Sequence, residues 1–145
     1  MNYYHFTTVE NFAKILESEC LLSYYKIVKH FLIENGMPIH KAEAKTERHK
    51  KIIKQTEGKE EHFRLSNVFL TLNERKNLSS QDQLYLKFSL LNKPNYGPNL
   101  ALSKLSLEDL TAIGVLAEHI SEVENLLKKT LGQKYAHILV YQIRG

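Results

Sequence analysis

The chain has 145 residues, is 43% hydrophobic and 25% charged, and carries a formal net charge of +4 with a pI near 9.1. That length and composition predict a single domain, residues 1–145, with a core large enough to need no covalent staples, and they exclude a globally disordered chain. One cysteine, Cys20, excludes an internal disulfide and a cysteine-rich zinc site, the basic balance favours an anionic partner, and no apolar run is long enough to span a bilayer.

The aromatic run at residues 3–6 predicts a strand that stops at two threonines. Thr7 is the expected N-cap of a following helix, and Glu10, three residues on, completes a reciprocal capping box. Phe12, Ile15 and Leu16 share one face of that helix. Strand, tight turn and helix place His5 beside helix N-terminal amides, a corner suited to a nucleotide or phosphate.

Residues 24–33 have helical apolar spacing and stop before Gly36 and Pro38. Residues 40–62 are densely charged and read as a polar helix or a mobile excursion. In it Arg48, Lys50, Lys51 and Lys54 either approach phosphates or pair with neighbours such as Glu43 and Glu47 on a solvated face. Strands are expected at 67–72 and 84–90. In the second, Leu84, Leu86, Phe88 and Leu90 alternate with Tyr85, Lys87 and Ser89, the pattern of a sheet with one buried face. A polar connection spans 73–83, and Pro94, Gly97 and Pro98 make 92–99 a loop.

Ser106 is expected to open a helix with Leu107, Leu110 and Ile113 on one face, and the spacing of Leu116, Ile120, Val123 and Leu127 carries on to a C-cap at Gly132. Residues 136–143 close the chain as a strand on which His137 shares a face with Leu139, Tyr141 and Ile143. Seven histidines invite a metal, but no H-E-x-x-H or C-x-x-C is present to set ligands on one side of an ion. The nucleophile elbow, the Walker loop and the G-x-G-x-x-G turn are absent too, which sets aside serine hydrolase, P-loop and Rossmann chemistry.

The opening stretch, with H-x-T-x-x-x-N at His5, Thr7 and Asn11 and then Ile15, Leu16, Leu21 and Leu22, resembles the start of the ADP-ribosyltransferase superfamily, in particular DarT-type DNA ADP-ribosyltransferases and small bacterial toxin transferases. Residues 64–73 look like that family's second core strand, with Phe69 and Thr71 where it meets the cleft, and residues 135–143 look like its closing strand. The resemblance implies an α+β fold of two small, mostly antiparallel sheets forming a cleft, with helices outside. It implies NAD as substrate, His5 on the ribose, Thr7, Asn11, Phe69 and Thr71 lining the nucleotide site, and Tyr24 or Tyr25 stacking on a base or on nicotinamide. The basic segment holding Arg48, Lys50, Lys51 and Lys54 would face DNA or RNA. His137 stands where active relatives carry a catalytic glutamate, so His5 and His137 are the catalytic candidates, with Glu118, Glu122 and Glu124 as other acids.

Expected is a toxin or effector that transfers ADP-ribose to a nucleic acid or protein, cytoplasmic or delivered into another cell, with no membrane partner. A non-catalytic module of the same fold that binds NAD, ADP-ribose or nucleic acid accounts for the missing glutamate. A protein-interaction domain or inhibitor without nucleotide chemistry is the third reading.

Overall fold

A computed structural model describes residues 1–74 and 78–144, so residues 75–77 of the polar connection lie outside the described residues. The elements in chain order begin with strand β1 (Asn2–Thr7), helix α1 (Val9–Ser18), strand β2 (Cys20–Leu22) and helix α2 (Tyr24–Glu34). Helices α3 (Ile39–Thr56) and α4 (Lys59–Ser66) follow, and then strands β3 (Val68–Thr71), β4 (Leu84–Ser89), β5 (Asn99–Leu102), β6 (Lys104–Ser106) and β7 (Leu110–Leu116). Helix α5 (Ile120–Leu131) and strand β8 (Leu139–Ile143) complete the chain. This is a mixed α+β fold with two sheets and flanking helices. One sheet has six strands in the order β5-β3-β1-β4-β7-β8, and the other pairs β2 with β6.

By internal contacts the chain divides into two compact units. The first comprises Met1–Cys20, Phe69–Ala101 and Ser106–Gly145, and the second Leu21–Val68 with Leu102–Leu105. The first unit is built on the large sheet. β1 pairs antiparallel with β3 and β4, β4 pairs antiparallel with β7, and β7 pairs parallel with β8. A parallel neighbour needs a long crossover, and the segment containing α5 supplies it. One cross-strand row runs Phe6, Tyr85, Gly114, Tyr141, and the next, on the opposite face, runs His5, Leu86, Ile113, Val140.

β4 departs from the expected alternation. Leu84, Tyr85 and Leu86 are all buried, so this central strand is covered on both faces and Tyr85 belongs to a core rather than to solvent. The expected helix at Ser106 is corrected as well. Residues 107–109 form a single 3-10 turn and Leu110–Leu116 are strand β7, in which Leu110 and residues 112–115 are all buried. A strand hidden on both sides loses its period of two, so the spacing of Leu107, Leu110 and Ile113 reads equally as a helix. Thr111 is the extra residue where the β4–β7 register shifts, and its hydroxyl donates to the Lys87 carbonyl at 3.1 Å.

Local signals fare better at helix ends, with one shift. The N-cap of α1 is Thr8, whose Oγ1 accepts from the Asn11 amide at 3.2 Å, while Thr7 is the last, buried residue of β1. The capping box therefore does not form on Thr7. The helix nonetheless buries Val9, Phe12 and Leu16, with Ile15 half-buried. Gly132 caps α5 at φ 57°, a left-handed backbone that glycine adopts without steric penalty.

The second unit is helical in the main. α2 buries Tyr25 and α3 buries Ala42 and Thr46. Residues 40–62, the charged stretch, are two helices broken at Gly58, which has φ 93°. Arg64 to Ser66 belong to α4, so the strand expected from residue 64 starts only at Val68. No helix among the described residues is long and apolar enough to cross a membrane.

Candidate functional site

The β1–α1 corner is closed by the protein itself. Gln83 donates its backbone N–H to the Thr7 carbonyl at 2.9 Å, and its side-chain oxygen accepts from the Val9 amide, also at 2.9 Å. With the Asn11 amide held by Thr8, two of the first helical donors are already engaged, and the corner is corrected from an open phosphate cradle to a braced turn.

His5 keeps chemical interest. Its ring is half-buried on β1, and Nδ1 lies 3.4 Å from the Phe69 carbonyl on β3. A carbonyl oxygen only accepts, so Nδ1 is the protonated nitrogen in this contact and Nε2 is the acceptor. Burial holds the imidazole below its ordinary pKa, against the opposing pull of the Phe69 carbonyl and the Asp82 carboxylate. A neutral imidazole of fixed tautomer can accept a hydrogen bond from a hydroxyl.

The lowered pKa carries a pH prediction. Because the unfolded chain binds the proton more tightly, the His5 contribution is fully present above about pH 6.5 and is lost as pH falls through that value toward the folded-state pKa. Urea unfolding at pH 7.5 and pH 5.5 should show wild type losing more stability on acidification than His5→Gln. Equal losses would mean that His5 titrates as an unburied histidine.

The other sequence candidates scatter. Phe69 lies on β3 with its ring 5.4 Å from that of Tyr96, and Thr71 sits opposite Tyr4 and accepts from the Asn73 amide. Asn11 is exposed and contributes only its backbone to the cap. His137 is not on the closing strand. It ends a 3-10 stretch, Gly132–His137, and is exposed on a groove lined by Glu19, Glu108, Lys134 and Ile138. Its expected place on one face with Tyr141 fails because β8 begins only at Leu139. Glu118 and Glu122 flank His119, at 3.8 and 3.6 Å, and Glu124 lies on α5.

In the helical unit Tyr25 is buried, with its hydroxyl 3.2 Å from His62 Nδ1 and the Lys50 ammonium 5.6 Å from its ring centroid. Burial, then the Glu61 carboxylate, raise its pKa above the ordinary phenol value. Tyr24 is exposed. Arg48, Lys51 and Lys54 are exposed along α3, while Lys50 also pairs with Glu47 at 3.0 Å.

The sequence reading passed over one polar cluster. On the sheet face opposite His5, the Tyr85 hydroxyl donates to Glu74 Oε1 at 2.6 Å and the Tyr4 hydroxyl to Oε2 at 3.4 Å. With its own proton engaged, the Tyr85 oxygen accepts from Tyr141. The rings of Tyr4, Phe6 and Tyr141 meet that of Tyr85 edge-on at centroid distances of 5.3, 5.6 and 6.0 Å, and Leu78 packs beside them. Burial and the Glu74 carboxylate push the Tyr4 and Tyr85 phenols above their usual range, and burial raises Tyr141 against the Tyr85 hydrogen bond.

No protein-family model matches the chain, and no curated protein is similar enough in sequence to count as a relative. The site must therefore be read from its own geometry. Only a four-strand register reveals the tyrosine cluster; the available sequence signal was a tyrosine on each of β1, β4 and β8. Among the described residues, no group of three or more His, Cys, Asp and Glu is placed to hold a metal ion.

Proposed function

We propose that the chain is an ADP-ribosyltransferase-like protein that takes NAD as substrate and transfers ADP-ribose to a nucleic acid or protein. The observation that carries this reading is His5, neutral, with Nδ1 turned to the Phe69 carbonyl and Nε2 left to accept from a ribose hydroxyl. In the reaction the bond from ribose C1′ to nicotinamide breaks, nicotinamide leaves with the electron pair, and a nucleophile of the target attacks the oxocarbenium-like centre. A carboxylate stabilises that developing charge better than an imidazole does. Exposed at the end of its 3-10 stretch, His137 is poorly fitted to the task. Glu74, oriented by two tyrosines, lies on the sheet face opposite His5 and so is not placed to act on a ribose held by His5.

The test is nicotinamide release from NAD by purified protein, with and without DNA, RNA and cell lysate, in wild type, His5→Ala, Glu74→Gln and His137→Ala. The expected result is release that falls at least tenfold in His5→Ala and is little changed in Glu74→Gln and in His137→Ala. NAD binding without release would identify a non-catalytic module. Neither binding nor release would remove nucleotide chemistry from the account.

A further inference from the structure

Helix α2 carries Tyr24, Ile27 and Phe31 at spacings that form one stripe, and these side chains are 43%, 52% and 62% exposed. Its opposite face holds the buried Tyr25. Three large apolar side chains in a row toward water form a patch of the kind that marks an interaction site.

The neighbouring helix adds charge to one border of the stripe. Tyr24 packs against His49, with centroids 6.1 Å apart, and Lys29 pairs with Glu43 at 3.2 Å, so α2 and α3 run antiparallel. Helical spacing places Lys45, four residues before His49, and Ile52, three after it, on the same side of α3 as His49. Lys41 and Arg48 lie one turn either way from Lys45. Lys41, Lys45 and Arg48 are all exposed, and none has an ion-pair partner among the described residues. The acids of α3 are engaged elsewhere, Glu43 by Lys29 and Glu47 by Lys50. Across this unit, Leu21–Val68 with Leu102–Leu105, eleven Lys and Arg stand against six Asp and Glu, a net charge of +5.

We infer that this face docks an amphipathic helix of a partner protein, one whose apolar row is flanked by Asp or Glu. Such a helix covers Tyr24, Ile27 and Phe31 and pairs its acids with Lys41, Lys45 and Arg48, which is the helix-on-hydrophobic-surface mode with electrostatic register. A second copy of this chain fits badly, because a two-fold contact sets the three cations against their own copies. Nucleic acid fits badly too, since aliphatic Ile27 offers a phosphate backbone nothing. The interface involves neither His5 nor Glu74 and stands apart from the NAD reading.

The probe is a fluorescent eighteen-residue helical peptide with leucine at i, i+3, i+4 and i+7 and glutamate on both flanks. It is compared by anisotropy with a lysine-flanked copy and with single-stranded DNA. The glutamate-flanked peptide should bind at least tenfold tighter than the lysine-flanked one. Binding should fall at least tenfold in Ile27→Ser/Phe31→Ser, whose fold is checked by circular dichroism, and the preference should reverse in Lys45→Glu/Arg48→Glu. Equal binding of the two peptides, or none, overturns the inference. So does DNA binding that needs Lys45 and Arg48 but not Ile27 and Phe31, or self-association lost with Phe31→Ser.

Discussion

Replacing Gly114 with alanine should destabilise the protein by about 3 kcal/mol, near the upper end for overpacking a filled core. A Cβ at this position falls 2.5 Å from Tyr85 Cζ and 2.8 Å from both Cε atoms, inside any real contact distance. The ring has nowhere to move. It is fully buried, lies in the row Phe6, Tyr85, Gly114, Tyr141, and is held by Glu74 and Tyr141 at its hydroxyl. Urea unfolding measures the loss, and the cycle with Tyr85→Leu identifies its origin: the double variant should lose clearly less than the sum of the two single ones. A loss under about 0.5 kcal/mol in Gly114→Ala would show that the Tyr85 ring has a second seat.

Phe12→Ala should cost about 3–5 kcal/mol, the range for emptying a buried aromatic site. Phe12 is fully buried on α1, the short helix that packs against α5 in the same unit. With only ten residues, α1 depends on this packed face rather than on intrinsic propensity. Ile15, half-buried on the next turn, provides the contrast, and Ile15→Ala should cost about 1–2 kcal/mol by its smaller loss of buried area. Equal losses in the two variants would mean that α1 is held by its cap and backbone and not by its apolar face.

Sequence and structure agree where the instruction is local. The aromatic run before two threonines made β1 and α1, Gly36 and Pro38 fell between α2 and α3, and Gly132 ended α5, each through preferences that act within a few residues. They part at β7, where burial on both faces erased the alternation that distinguishes a strand, and at β8, which starts three residues later than expected. Of the candidate site, the place of His5 on β1 was legible, because the aromatic run around it reads as a strand. Its tautomer was not, because the Phe69 carbonyl reaches it from sixty-four residues away.

By itself the sequence determined the composition of an α+β chain, the C-terminal ends of α2 and α5, the apolar face of α1 and the concentration of charge between residues 40 and 62. Those features depend on residue type and short spacing alone. Only the tertiary structure decided that Gly114 sits opposite Tyr85, that three tyrosines from separate strands meet at Glu74, and that Gln83 closes the β1–α1 turn. It also decided that the cations bordering α2 stand without acid partners among the described residues. Each of these is a pairing between distant segments, set by strand register and helix packing, and no local preference encodes it.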